Sequence, residues 1–285
     1  ALVGGAAWDM TRDAEWGATD WVRLVLANIG SETDAWGVTR IPAMAATAVG
    51  RYSDPAARDA LKAEWEQGMR QLMLDAEPGS DQQLTFARTY VGAARSDAAL
   101  DELVAILDGS FVVEGLAVDQ DIRWGLVASL ARAGRFGDPE IDAELARDKT
   151  IEGQEKAAGA RVSQPTVEAK AAGWDAILDP TTPNETSSQM VLSIFRAEQD
   201  EIVAPYVEKY LTAADTVIDT LGFHKASVVL EYGFPLAVGS PAVVARLDEW
   251  LADNNAPKGA QRYLAEARDD IVRALAAQAR DAESA

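Results

Sequence analysis

Apolar residues recur at intervals of three and four along almost the whole chain. Trp21, Val25 and Ile29 make one such set, Leu61, Trp65, Met69 and Leu72 a second, and Leu100, Leu103, Val104 and Leu107 a third. Farther on, the same spacing joins Ile202, Tyr206, Val207 and Tyr210, then Val243, Val244, Leu247 and Leu251, then Leu264, Ala267, Ile271 and Leu275. Each set places a single buried stripe on a helix. The two-residue alternation of a half-buried strand is hard to find, and residues 119–178 read as short consecutive helices with no strand between them.

The punctuation agrees with this reading. A short polar residue precedes proline at Asp54-Pro55, Asp138-Pro139 and Ser240-Pro241, each just before a helical stripe. The polar side chain can accept from the free N-terminal amides, and proline loses nothing where the N–H has no partner. Gly30, Gly109, Gly134 and Gly222 stand where stripes stop, as C-terminal caps would. The pattern predicts roughly fourteen to sixteen helices with short links, an all-α chain of helix pairs stacked as an α-solenoid or superhelix. No strict period is visible, so the units are expected to be degenerate, in the manner of HEAT or armadillo repeats. A single helical-repeat domain over 1–285 is expected. The loop 179–188, with Pro180, Pro183 and Asn184, offers an internal corner.

Composition narrows the roles. A chain of 285 residues with 48% hydrophobic content can bury a large core. The absence of cysteine excludes disulfides and thiolate chemistry, and a reducing cytoplasm fits best. A formal charge of -20 repels phosphate backbones and anionic headgroups, so neither nucleic acid nor a membrane surface is an expected partner. No apolar run approaches the roughly 20 residues needed to span a bilayer. The chain starts without methionine, in what reads as the middle of a helix, and an excised fragment of a longer protein is the expectation.

Familiar catalytic patterns are missing. The single histidine, His224, cannot supply the two imidazoles of a zinc-peptidase helix, and no Gly-x-Ser-x-Gly elbow or phosphate loop occurs. Asp119-Gln120-Asp121 and Asp269-Asp270 lack the third carboxylate of a magnesium-diphosphate site, which leaves an all-helical metal enzyme as a weak third reading. Two cations do fall on apolar stripes: Arg123 shares a face with Val127 and Leu130, and Lys170 lies between Val167 and Trp174. Such a cation pairs with a buried carboxylate, lays its stem over apolar neighbours, or holds an anionic ligand group. Trp8, Trp16, Trp21 and Trp36 crowd the start of the chain, where they form either an N-terminal core or a docking face.

The segments Gly5-Ala-Ala-Trp-Asp-Met10, Val25-Leu-Ala-Asn-Ile-Gly-Ser-Glu-Thr-Asp34 and Asp121-Ile-Arg-Trp124, with the helix that carries Pro165, Lys170 and Trp174, carry a resemblance. Together they resemble the helical C-terminal domain of the aminopeptidase N family of zinc aminopeptidases, in its actinobacterial branch. The likeness runs over essentially the whole chain, and its motifs are diffuse. It implies a longer enzyme whose catalytic domain holds zinc through a His-Glu-x-x-His helix and binds the substrate's amino group through a Gly-x-Met-Glu-Asn loop. Neither motif occurs in this sequence, so no catalytic or metal residue and no cofactor is expected here. The implied partners are the chain's own N-terminal catalytic domain and peptide substrates.

In that family the helical domain arches over the active site and controls peptide access. The resemblance therefore implies an inactive domain that encloses the peptide chamber, with Arg123 and Lys170 as candidates for holding a peptide's C-terminal carboxylate. A stand-alone helical-repeat scaffold that binds a protein or peptide is the alternative.

Overall fold

The computed structural model describes residues 2–196, 198–253 and 256–284, and among these all regular structure is helical. The chain divides into two compact units, Ala1–Leu126 with Arg273–Ala285, and Val127–Val272.

The first unit holds α1 (Leu2–Arg12), α2 (Ala18–Asn28), α3 (Ala35–Thr47), α4 (Arg58–Asp75), α5 (Asp81–Ala93) and α6 (Asp97–Asp108), with the start of α7 (Gln120–Arg132). The second holds α8 (Asp138–Arg147), α9 (Ile151–Ser163), α10 (Val167–Leu178), α11 (Asn184–Ile194), α12 (Asp200–Val203) and α13 (Tyr206–Ala214). It continues with α14 (Val217–Leu221), α15 (Phe223–Tyr232), α16 (Pro241–Ala252) and most of α17 (Lys258–Ser284). Seventeen α-helices are thus present among the described residues.

Local chemistry explains most of the helix starts. Asp34, Ser80, Ser96, Thr150, Thr166 and Ser240 each accept an N–H from three residues on, as N-caps do. Ser240 with Pro241 behaves as the sequence predicts. At α8 the helix begins one residue earlier than expected, and Glu140 reaches back to the Gly137 N–H at 2.8 Å. Asp54-Pro55 departs further, because Asp54 accepts from Ala56 N at 3.0 Å and closes a turn, and α4 starts only at Arg58. Gly109, Gly134 and Gly222 take positive φ, whereas Gly30 sits in a 3-10 turn, Ile29–Ser31, and takes no left-handed cap conformation.

Packing follows the stripes. In the first unit α4 lies along α5, and α2 along α4, over a core of Trp21, Trp65, Met69, Tyr90 and Leu103. Trp8 stacks 5.7 Å from Tyr52 and lies 5.0 Å from Trp21, so three of these aromatics form a common cluster. Trp36 stays apart from burial at 51% exposure. In the second unit α9, α11 and α15 pack in succession, with α8 against α9 and α10 against both α9 and α11. This succession of packed helix pairs is the local pattern of a degenerate α-solenoid. The expected loop 179–188 is shorter than that: residues 179–183 join α10 to α11 inside the second unit, and 184–188 are already the first turn and a half of α11.

Candidate functional site

Lys170 is fully buried, and its Nζ donates to Val162 O at 2.7 Å. Val162 lies in the last turn of α9, so the ammonium satisfies a carbonyl at the negative end of that helix. Among the described residues no carboxylate pairs with Lys170. Burial, reinforced by the nearby Arg196 charge, pushes its pKa down to about 7. Arg196 is accessible to solvent, yet desolvation by the surrounding protein lowers its pKa.

Gln199 completes the group. It is buried, and its Nε2 donates to Ser163 O at 2.9 Å and to Arg132 O at 3.1 Å. Lys170 and Gln199 therefore reach neighbouring carbonyls at the end of α9. Glu198, just before Gln199, has φ +74, a conformation that costs a non-glycine residue on the order of 1 kcal/mol. Beside them Trp174, Phe195 and Tyr206 form a closed aromatic set with centroid separations of 5.0 to 5.8 Å, and the Lys209 ammonium stands 4.3 Å from the Tyr206 ring.

Arg123, the other predicted cation, belongs to the first unit and is half-buried. Its Nη1 donates to Leu107 O at 3.0 Å, near the end of α6. The two cations thus serve one local purpose in separate units, each satisfying the carbonyls of a neighbouring helix C-terminus. Lys225 does the same, donating to Asp179 O and, at 3.1 Å, to Thr182 O. It pins the loop after α10 from α15.

Each unit also has a groove. The one in the second unit, about 510 Å³, is floored by Ala157, Ala158, Ala169, Ala172, Gly173 and Ala176, small residues that keep a channel open between α9 and α10. Arg161 at its edge is held by Asp138 at 3.1 Å and by Asp142. The groove in the first unit, about 370 Å³, runs between α3 and α5 over Trp65. Its Thr39, Thr85 and Thr89 hydroxyls donate to carbonyls of their own helices, which leaves an apolar wall.

The sequence matches the ERAP1-like C-terminal domain family over residues 1–273. The chain belongs to that family. It is also 39% identical over 286 residues to an aminopeptidase N from Streptomyces lividans, across the whole of this chain. The chain spans about a third of the length of that relative, 33%.

The donor set of this ERAP1-like domain does not fit a zinc centre. His224 is exposed, the chain has no cysteine, and among the described residues no group of three or more His, Asp or Glu is placed to hold a metal ion. No described helix is long and apolar enough to cross a membrane. Arg196, Gln199 and Lys225 gave no sequence signal, because each acts on carbonyls or charges brought near by folding. The one available hint was the absence of helical periodicity over 195–199.

Proposed function

We propose that this chain is the C-terminal domain of a longer zinc aminopeptidase, a single helical-repeat domain that encloses the active-site chamber and governs peptide access. The observation that carries this reading is the end-to-end match to an aminopeptidase N three times as long. A concave helical array can close a cavity against another domain, exclude water and limit which peptides fit. The domain itself supplies no catalytic residue, and zinc belongs to the preceding catalytic domain. Arg123 is the better placed of the two cations for a peptide carboxylate, since it is half-buried. Lys170 is fully buried and its ammonium already serves Val162 O, so it is poorly placed for a peptide.

The experiment is to compare the whole parent protein, the parent lacking residues 1–285, and this chain alone. Each is assayed for release of N-terminal residues from short and long peptides. This chain alone should release nothing with zinc present. The truncated parent should lose its discrimination by peptide length. Zinc-dependent release by this chain alone, or unaltered length discrimination in the truncated parent, would sink the reading.

The open groove of about 510 Å³ favours a second reading, a scaffold that binds an extended peptide without an enzyme attached. A gene product that starts near Ala1 would support it.

A further inference from the structure

The groove of about 510 Å³ formed by α8, α9 and α10 has apolar walls and a charged end. Along α10 its lining residues Glu168, Ala172 and Ala176 are spaced four apart, so they form one row that advances about 6 Å per step. Gly173 sets the depth, because a Cβ there would come within 2.5 Å of Val162 Cγ1. α10 therefore closes tightly on α9 at that contact, and the channel stands above it beside Ala158 and Ala172. Ala172 is exposed.

The charges at the Glu168 end are unequal. Arg161 is shared between Asp138, at 3.1 Å, and Asp142, while Gln164 Nε2 donates to Asp138 at 3.0 Å. Glu168 is exposed and makes no hydrogen bond or ion pair among the described residues. Three carboxylates thus accompany one guanidinium, and the surplus is negative. An occupant that answers this end brings a cation. A peptide's terminal carboxylate is repelled from it, so this groove selects differently from Arg123.

An extended peptide matches the row. Its side chains on one face recur about 6.6 Å apart, twice the rise per residue of a strand and close to the step along α10. The volume is that of a small-ligand site, too little to seat a helix about 10–12 Å across. We propose that the groove binds an extended peptide in which a Lys or Arg alternates with two apolar residues. The cation sits over Glu168, and the apolar side chains lie over Ala172 and Ala176. This rests on reading the groove as a peptide site. It adds the class of peptide, recognised by interior side chains rather than by its ends.

Capped peptides test it by calorimetry on the 285-residue chain at neutral pH, with no catalytic domain present. The probes are acetyl-Lys-Gly-Leu-Gly-Leu-amide and its reverse, acetyl-Leu-Gly-Leu-Gly-Lys-amide. One of the two should bind saturably at one site. Norleucine in place of lysine should weaken it about threefold, the size an exposed ion pair supports. Glu168→Gln should weaken the lysine peptide by the same factor and leave the norleucine peptide unaffected. Ala172→Leu, which fills the channel from an exposed position, should abolish binding without lowering the urea midpoint. Glu185→Gln removes the corresponding first-turn glutamate of α11 and should bind as the unaltered chain does. Absence of saturable binding by both peptides, or undiminished binding in Ala172→Leu, overturns the proposal. The chamber reading survives that result, since it is judged by length discrimination in the parent enzyme. Equal binding of lysine and norleucine peptides, or an equal loss in Glu185→Gln, also overturns the proposal and leaves the groove a peptide site without a preference for cations.

Discussion

Asp281 Oδ1 accepts the backbone N–H of Thr19 at 2.7 Å, across 262 positions of sequence. The other oxygen of Asp281 accepts the Thr19 hydroxyl at 2.9 Å and the Asp54 N–H at 2.8 Å. The N-cap residue of α2 is Gly17, which has no side chain to offer, so a carboxylate from the last turns of α17 performs the capping. Asp281→Ala should cost about 2–3 kcal/mol, since two amides lose a buried charged acceptor. Asp281→Asn should cost less. Urea unfolding measures both, and an unchanged midpoint in Asp281→Ala would refute the capping role.

Glu66 holds a second junction in the same manner. It is 7% exposed, accepts the Ser96 N–H at 2.9 Å, and also takes the Arg95 N–H and the Ser96 hydroxyl. The carboxylate of α4 thus fixes the link between α5 and α6. Glu66→Gln should lose about 1–3 kcal/mol, because an amide nitrogen then faces donors. Hydrogen exchange at Arg95 and Ser96 should accelerate relative to the rest of the first unit.

Gly115 is the position least tolerant of a side chain. Its φ is +81, and an added Cβ would overlap the backbone of Pro78 and Gly79, which cannot withdraw as a flexible side chain could. Gly115→Ala should lower stability by roughly 2 kcal/mol or more, from strain and overpacking together. Gly50→Ala, where nothing lies within 4 Å of the new atom, is the matched control in thermal unfolding.

Lys170 predicts a dependence on pH. Its folded pKa is about 7, against an ordinary 10.5, so between these values the unfolded chain holds a proton that the folded chain has shed. Stability therefore rises with pH through that window, and the contribution of Lys170 is smallest below about 7. Lys170→Met should flatten the rise and stabilise the fold by roughly 1–3 kcal/mol at pH 6. A variant with an unchanged pH profile would show that Lys170 is charged in the folded chain.

Much of the fold was legible because helices are local. The stripes at Leu61, Trp65 and Met69 and at Leu247 and Leu251 reported real helices, since apolar spacing and burial are two views of one geometry. Ser240 and Gly109 worked for the same reason, as caps decided within a few residues. Asp54-Pro55 misled because the Asp54 carboxylate closes a local turn on Ala56 N and the helix starts only at Arg58. The candidate site was half legible. The position of Lys170 on an apolar stripe flagged it, but its partner is a backbone carbonyl, which sequence pattern does not display. Gln199 lies outside any periodic stretch, and only the fold brings it to Ser163 O at the end of α9. The resemblance to aminopeptidase N drew on the whole chain, and the family match over residues 1–273 agrees with it.

The first unit is discontinuous, since Arg273–Ala285 belongs with Ala1–Leu126. A ribosome delivers Arg273–Ala285 long after α2 and the Asp54 turn have emerged. Until then the amides of Thr19 and Asp54 lack their acceptor, and the first unit waits unsealed through synthesis of everything in between. Domains that complete themselves from contiguous sequence can fold as they appear. This unit is closed by residues translated long after the rest of it, so a ribosome that stops before Arg273 releases a chain in which α2, rather than the stretch nearest the stop, is the part left open.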